Sequence, residues 1–225
     1  MISLSHFKSI MMKATVILPF FVGLCFSYRP LQPQMPNLKP ITKIQDNPLY
    51  LTPYIENGQI EEARQLALIT EPLDGLAVED QPEMYSGFLT VDKNYNSNMF
   101  FWFIPATDVD PKTAPVVIWL QGGPGGSSLF GLLEIHGPIQ SVFDGNGQTK
   151  AQVNPHAWTK VANVIYIDNP VGAGFSFSQK LPSTEEEVAN DLYECLIQWF
   201  KMFPEYQNNP FFPFGESYAG KFVPR

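Results

Sequence analysis

Cysteine and histidine are scarce in this sequence, which has two cysteines and three histidines among 225 residues. Cys25 lies in an apolar N-terminal segment and Cys195 lies on the apolar side of a predicted helix, so no disulfide framework is expected. Asn-x-Ser/Thr, the acceptor sequence for N-linked glycosylation, does not occur. Basic residues are outnumbered, with 14 Lys and Arg against 22 Asp and Glu. The net charge of -8 argues against a nucleic-acid partner, which would require clustered positive charge.

The remaining composition is that of a globular protein, with 44% apolar and 16% charged residues. A long apolar run, Ala14–Phe26, follows two lysines near the N-terminus. This run falls short of the ~20 residues that span a bilayer, and the small residues at 25 and 27 suit signal cleavage. We therefore predict a signal peptide over residues 1–27 and entry into the secretory pathway without stable membrane insertion. A signal anchor stays open, and secretion is not distinguished from lysosomal delivery.

Proline and hydrophobic periodicity divide the next part of the chain. Prolines at 30, 33, 36, 40 and 48 disfavour regular structure, so residues 28–50 are predicted to form an extended arm or a pro-segment. A short helix is predicted over 60–69. The β-rich runs at 85–91 and 99–104 flank a polar turn, which is typical of a hairpin.

An α/β sheet is predicted from the order of the later elements. Val116–Leu120 and Val164–Ile167 are short, wholly apolar runs, typical of strands that are covered on both faces. Apolar residues at helical spacing predict a helix over 184–203, with Ser183 and Glu186 as its capping box. Strands that alternate with helices in this way favour a mostly parallel central sheet with flanking helices.

A Gly-x-Ser sequence lies near the C-terminus, where Gly215-Glu216-Ser217-Tyr218-Ala219-Gly220 follows the apolar run 211–214. A strand that leads into Gly-x-Ser is typical of a nucleophile elbow, the sharp turn that exposes a serine hydroxyl for attack on a carbonyl. Acyl transfer also needs backbone N–H donors for the oxyanion, and glycine lets the backbone approach closely. The glycine-rich loop 121–126, which follows a predicted strand, is placed to provide one of them.

Phosphate binding is the main alternative for this glycine-rich loop. The loop has neither the Gly-Lys-Ser/Thr ending of a P-loop nor the spacing of a dinucleotide fingerprint. Pro124 also lacks the backbone N–H that a phosphate would use. Acyl chemistry is therefore favoured over phosphate binding.

Three sequence blocks together resemble the serine carboxypeptidase family: Trp119–Ser128, Asp168–Ser176 and Gly215–Gly220. The segments 51–67, 95–103 and 203–206, together with Gln121, resemble the vitellogenic-like branch of that family. The blocks occur in the family's order, and further similarity extends from about residue 49 to the end. The resemblance implies an α/β-hydrolase fold, with residues 51–225 forming the N-terminal part of that domain. It also implies hydrolysis of peptides with a free C-terminus through an acyl-enzyme, without a metal or an organic cofactor.

Site residues follow from matching these motifs residue by residue. Ser217 would be the nucleophile, and the backbone N–H groups of Gly123 and Tyr218 would bind the oxyanion. Four further matches would bind the substrate's terminal carboxylate or support the groups that do: Trp119, Gln121, Gly122 and Glu216.

Glu216 needs a particular protonation state in this interpretation. Because one carboxylate cannot favourably face another, Glu216 would have to be protonated in order to donate a hydrogen bond to the substrate. Peptide binding by a complete enzyme is therefore expected to weaken as the pH rises through neutrality.

Several positions depart from the family's usual pattern. Gln121 stands where many members have asparagine, and Gly126 stands where many have a disulfide cysteine. Glu134 lies one position earlier than the acid usually found there, so it is not expected to be a carboxyl partner in the site. Pro213 removes a backbone donor from a strand that should be central.

A complete Ser-His-Asp triad is not expected within these residues. His136 and His156 precede Ser217, whereas in α/β hydrolases the acid and the histidine follow the serine. We therefore expect the catalytic Asp and His on a segment after residue 225, and expect the chain alone to be inactive. The main alternative is a non-catalytic fragment or paralogue that binds peptides or partners, and an acyltransferase and an esterase are two others. The preferred leaving residue and the oligomeric state stay open.

Overall fold

The computed structural model describes residues 48–224, so the predicted signal peptide over 1–27 and most of the predicted arm over 28–50 lie outside the described residues. The end of that arm belongs to the folded domain, because Tyr50 forms a β-bridge with Phe88 and the Leu51 N–H donates to the Phe88 carbonyl at 2.9 Å. None of the helices within residues 48–224 has the length and apolar character of a membrane span.

The described residues form seven strands in two sheets. The strands are β1 Tyr85–Asp92, β2 Ser97–Ile104, β3 Val116–Leu120, β4 Ile139–Phe143, β5 Thr149–Val153, β6 Asn163–Ile167 and β7 Phe211–Gly215. Five of them form one mixed sheet in the order β1-β2-β6-β3-β7, and β4 and β5 form a separate antiparallel pair.

The large sheet has an antiparallel half and a parallel half. β1 and β2 form the predicted hairpin, with Phe88 opposite Phe100, and β2 also pairs antiparallel with β6. β6, β3 and β7 run parallel to one another. Because parallel strands end at the same edge of a sheet, the loops after these three strands come together there, and each loop contains one of the three motifs.

Three α-helices within residues 48–224 accompany the sheet: α1 Thr52–Glu56, α2 Ile60–Ala67 and α3 Glu185–Met202. The predicted cap of α3 at Ser183 and Glu186 is displaced by one residue. Thr184 is the N-cap, and its hydroxyl accepts from the Glu187 N–H at 3.2 Å. The Glu187 carboxylate in turn accepts from the Ser183 N–H at 2.6 Å. Ser183 and Thr184 both suit an N-cap, and the choice between them depends on how α3 packs.

The core lies on both faces of the sheet, as the alternation of side chains along β3 requires. Val116, Ile118 and Leu120 belong to the cluster that packs against α3, whereas Val117 and Trp119 belong to a second cluster on the other face. Burial of apolar area at about 25 cal/mol per Å² is the main force that holds these layers together.

Cys195 lies in the α3 core, as the sequence predicts. It is fully buried and has no disulfide partner within the described part of the chain. Burial raises the pKa of its thiol to about 12, because the apolar interior disfavours the thiolate. Cys195 is therefore a packing residue.

The missing backbone N–H of Pro213 does not remove a hydrogen bond between β3 and β7. The Val116 N–H donates to the Pro210 carbonyl at 2.8 Å, and the Glu216 N–H donates to the Leu120 carbonyl at 3.2 Å. In a parallel ladder the bonding residues of one strand lie two apart, so the even-numbered residues of β7 bond to β3. The odd-numbered residues, Pro213 among them, face the outer side of β7, where residues 48–224 provide no neighbouring strand. The loss of a hydrogen-bond donor that the sequence predicted at Pro213 therefore does not affect the pairing of β3 with β7.

Candidate active site

Ser217 lies at a sharp turn between a strand and a helix. β7 ends at Gly215, and a 3-10 helix covers Ser217–Lys221. The φ angle of Ser217 is +57°, in the left-handed region that costs a non-glycine residue about 1–3 kcal/mol. The residue is also exposed to solvent. An exposed serine with this backbone strain has the geometry of a nucleophile elbow.

Gly122 brings the glycine-rich loop against this elbow. A Cβ atom at Gly122 would lie 2.6 Å from the Glu216 carbonyl oxygen, 2.7 Å from the Tyr218 nitrogen and 2.9 Å from the Ser217 Cβ. Only glycine fits in this space, because real Cβ atoms do not approach other atoms so closely. The neighbouring Gly123 has a φ angle of +123°, which again favours glycine. The loop and the elbow thus meet at the serine, where an oxyanion would need donors from both.

A chain of hydrogen bonds runs from Trp119 through Gln121 to Glu216. Trp119 Nε1 donates to Gln121 Oε1 at 3.1 Å, and Gln121 Nε2 donates to Glu216 Oε2 at 2.8 Å. Because an indole N–H can only donate, it fixes the carboxamide with its oxygen towards Trp119 and its NH2 group towards Glu216. The structure therefore brings together three of the four residues that were predicted to form the carboxylate site, and Gly122 lies beside them.

Asp168 connects the second motif to the glycine-rich loop. Its carboxyl group is buried, with Oδ1 accepting from Ser127 Oγ at 2.7 Å and from the Ser128 N–H at 2.8 Å. Oδ2 accepts from the Phe175 N–H at 2.8 Å. Burial raises the pKa of Asp168, and these three hydrogen bonds oppose that rise. Ser127 Oγ also accepts from the Leu129 N–H at 3.2 Å, a local turn contact before the following helical turn.

The two histidines within the described residues lie outside the hydrogen bonding of Ser217. His136 is 3% exposed, and its ring stacks on Trp158 with the ring centroids 4.0 Å apart. Burial lowers the pKa of His136 to about 4, so the imidazole is neutral at pH 7. His156 is exposed. Neither side chain has the partner contact that a general base for Ser217 would need.

Glu134 is not a hydrogen-bond partner of Gln121 or Glu216. It is exposed and accepts from Ser141 Oγ at 2.5 Å. Its segment, Gly131–Ile135, forms one π-helical turn. Within residues 48–224, no three His, Cys, Asp or Glu side chains are arranged to hold a metal ion.

The family model for serine carboxypeptidases matches residues 75–225. The chain belongs to the serine carboxypeptidase family. The probable serine carboxypeptidase CPVL of Homo sapiens is 53% identical over 180 residues, covering 79% of this chain and 36% of that protein. The venom serine carboxypeptidase of Apis mellifera is 45% identical over 221 residues, covering 95% of this chain and 45% of that protein.

A solved structure has the same fold as this serine carboxypeptidase chain. Kex1(delta)p, a prohormone-processing carboxypeptidase from Saccharomyces cerevisiae, aligns with a TM-score of 0.63 and 29% identity. The alignment covers 72% of this chain and 37% of the yeast protein. The predicted family and the predicted α/β-hydrolase fold are thus confirmed. The chain spans less than half the length of the relatives that it matches.

Three residues around this candidate site were missed by sequence reasoning. Asp168 was recognised only as part of a motif, although its partners show what it holds in place. Gly131 and His136 both contact Trp119, since a Cβ atom at Gly131 would overlap the Trp119 indole and the His136 ring meets that indole edge-on. Contacts between residues this far apart in sequence leave no local pattern that could have indicated them.

Proposed function

We propose that this protein is a serine-type carboxypeptidase that removes C-terminal residues from peptides through an acyl-enzyme. The observation that supports this best is the Trp119–Gln121–Glu216 chain beside the elbow, which places a carboxamide and a carboxyl group next to an exposed serine. An endopeptidase or an esterase needs no such group. A carboxypeptidase needs it to bind the terminal carboxylate and so to place the last peptide bond at the serine.

In the proposed reaction, the Ser217 hydroxyl attacks the carbonyl carbon of the last peptide bond. The backbone N–H groups of Gly123 and Tyr218 stabilise the oxyanion that forms. The terminal amino acid then leaves, and water hydrolyses the acyl-enzyme. A histidine and an acid must move the protons in both steps, and we propose that they come from outside the described residues.

The carboxylate of the leaving residue is bound by Gln121, Gly122 and Glu216 in this proposal, with the indole of Trp119 orienting Gln121. In the structure Glu216 accepts a hydrogen bond from Gln121. To donate a hydrogen bond to a substrate carboxylate it must carry a proton, so binding should weaken with rising pH. Glu216→Gln keeps a donor at every pH, and its Michaelis constant should therefore lose the pH dependence. An unchanged pH profile in this variant would exclude the role proposed for Glu216.

The test of the reaction is release of leucine from benzyloxycarbonyl-Phe-Leu. Protein purified from its natural source should release leucine, and labelling with a fluorophosphonate should modify Ser217 and stop the release. The recombinant chain of 225 residues should bind the peptide without hydrolysing it, and Ser217→Ala is the matched control. If the natural protein binds the peptide but neither hydrolyses it nor takes up the label, carboxypeptidase activity is ruled out.

That last outcome would instead support a non-catalytic peptide-binding protein, the second candidate. It is favoured by one observation, that no histidine within residues 48–224 hydrogen-bonds Ser217. Binding of free-carboxylate peptides is common to both candidates, and only turnover separates them.

We also propose that the protein enters the secretory pathway, because of the apolar segment Ala14–Phe26. Expression in eukaryotic cells should yield secreted or vesicular protein whose N-terminal sequencing begins at Tyr28. Recovery of the protein with Met1 intact in the cytosol would contradict this.

A further inference from the structure

A cluster of rings adjoins the hydrogen-bonded chain at Trp119. The rings come from β3, β6, β7 and the loops between them, and we call them the aromatic stack: Trp119, His136, Trp158, Tyr166 and Phe214. His136 is central in it, because its ring contacts those of Trp119, Trp158 and Tyr166. The proposed reaction gives this buried imidazole no chemical role.

His136 is held in place from several directions. Its ring lies parallel to Trp158, at an interplanar angle of 10°, and Nδ1 lies 3.2 Å from the Tyr166 hydroxyl. Its backbone N–H donates to the Gly131 carbonyl at 3.0 Å, and its own carbonyl accepts from the Trp158 N–H at 2.9 Å. A ring with these contacts has little freedom to rotate, so it acts as a fixed surface for its neighbours.

Trp119 is the neighbour that this surface constrains. The His136 ring meets the indole edge-on, with the ring centroids 4.4 Å apart and an interplanar angle of 77°. Gly131 limits the same indole at its N–H edge, because any side chain there would overlap Nε1 and Cδ1. The indole is therefore confined by both residues, and in the position that it occupies Nε1 donates to Gln121 Oε1 at 3.1 Å.

We propose that His136 is a positioning residue of the carboxylate site. Its ring holds the Trp119 indole, which orients the Gln121 carboxamide and so turns the NH2 group towards Glu216. The consequence for peptide binding rests on the proposed function. The effect on Trp119 does not depend on that function, since it follows from packing alone.

The indole N–H resonances of the four tryptophans provide a test that needs no substrate. Trp119→Phe identifies the Trp119 signal by its disappearance. In His136→Ala this signal should move and its hydrogen exchange should become about tenfold faster, since a hydrogen bond of ~1.4 kcal/mol is lost. His156→Ala, a change in an exposed histidine, should leave the signal in place. An unchanged Trp119 signal in His136→Ala would overturn the proposal.

A double variant separates the ring from its hydrogen bond. His136→Phe/Tyr166→Phe removes both Nδ1 and the Tyr166 hydroxyl and puts another aromatic ring in place of the imidazole. The Trp119 signal should therefore stay as in the wild type. A displaced signal would show that ring packing does not position the indole, against the proposal. Should His136→Ala fail to fold, as judged by circular dichroism, His136→Leu/Tyr166→Phe fills the volume without a ring and should displace the signal instead.

Calorimetry then connects the position of the indole to binding. The wild-type chain should bind benzyloxycarbonyl-Phe-Leu more tightly than its C-terminal amide, and the variants that displace Trp119 should lose about tenfold of that preference. Their affinity for the amide should be unchanged, which a general loss of structure would not produce. If the wild type shows no preference for the free carboxylate, the proposed function fails, while the indole signals still decide the role of His136.

Discussion

The two sides of the candidate active site are built differently. Every residue of β3 and β6, which lead into the glycine-rich loop and the Asp168 loop, is buried, whereas every residue of β7, which leads into the elbow, is exposed. Asp168 fixes the first side through three hydrogen bonds. The serine side is held by its ladder with β3 and by the contact with Gly122. The glycine-rich loop and the Asp168 loop therefore follow strands of the buried core, whereas Glu216, Ser217 and Tyr218 follow an exposed strand.

Removing the Asp168 carboxylate should have the largest effect on stability, because this group accepts the hydrogen bonds that join the two loops of the buried side. Asp168→Ala leaves three donors without this acceptor. The buried Ser128 N–H should cost about 1–3 kcal/mol, and the partly buried Ser127 hydroxyl and Phe175 N–H should each cost less. We expect a loss of about 2–4 kcal/mol in the free energy of unfolding, measured in urea. Asp168→Asn keeps one acceptor oxygen and should lose less. Equal losses in the two variants would show that the carboxylate does not hold the loops.

His136, which is buried, should account for much of the decrease in the free energy of unfolding at acid pH. The pKa of His136 falls from about 6.5 in an unfolded chain to about 4 in the fold, so the unfolded state binds more protons between these values. Stability should therefore fall as the pH is lowered from about 6.5 to about 4, by up to ~3 kcal/mol. His136→Phe/Tyr166→Phe should lack this component in urea titrations at pH 7 and pH 4. If its acid sensitivity equals that of the wild type, other groups are responsible.

A substitution against the exposed side should change the geometry of the elbow more than the stability of the fold. Gly122→Ala places a methyl group against Glu216 and Tyr218, which should cost about 1–3 kcal/mol and shift the elbow. In the complete protein, which would contain the proposed histidine and acid, labelling of Ser217 by a fluorophosphonate should slow accordingly. Gly220→Ala is the matched control, since a Cβ atom there meets nothing within 4 Å. Similar labelling rates in both variants would contradict the contact at Gly122.

A carboxylate outside both loops should have the smallest effect. Burial, together with the charges of Asp92 and Glu187, raises the pKa of Asp191 to about 6, so its ionised form is disfavoured in the fold. Asp191→Asn should therefore be more stable than the wild type at pH 7, by up to ~1 kcal/mol, and this gain should vanish below pH 4. Glu194→Gln, the same change at an exposed position of α3, should have no such effect. A gain for Asp191→Asn that persists at low pH would exclude the electrostatic explanation.

Sequence reasoning succeeded where the determinants are local. Val116–Leu120 was predicted to the residue, because a continuous apolar run between polar loops has one interpretation in an α/β sheet. The elbow was predicted because its turn, its serine and its preceding strand are consecutive. The cap of α3 was wrong by one residue, since the local pattern suits Ser183 as well as Thr184.

Other features depend on contacts that the sequence does not encode locally. The role of Pro213 required the register of β7 against β3, because only the register shows which side of the strand lacks a donor. The position of Trp119 depends on Gly131 and His136, which approach it through the fold. The functions of the predicted site residues remain proposals for the experiments above.

Pro213 also limits how β7 can pair on its outer side. On that side Phe211 and Gly215 each have a backbone N–H group, and the proline between them has none. Any strand that paired with this side of β7 would therefore lack one hydrogen bond in the middle of the ladder.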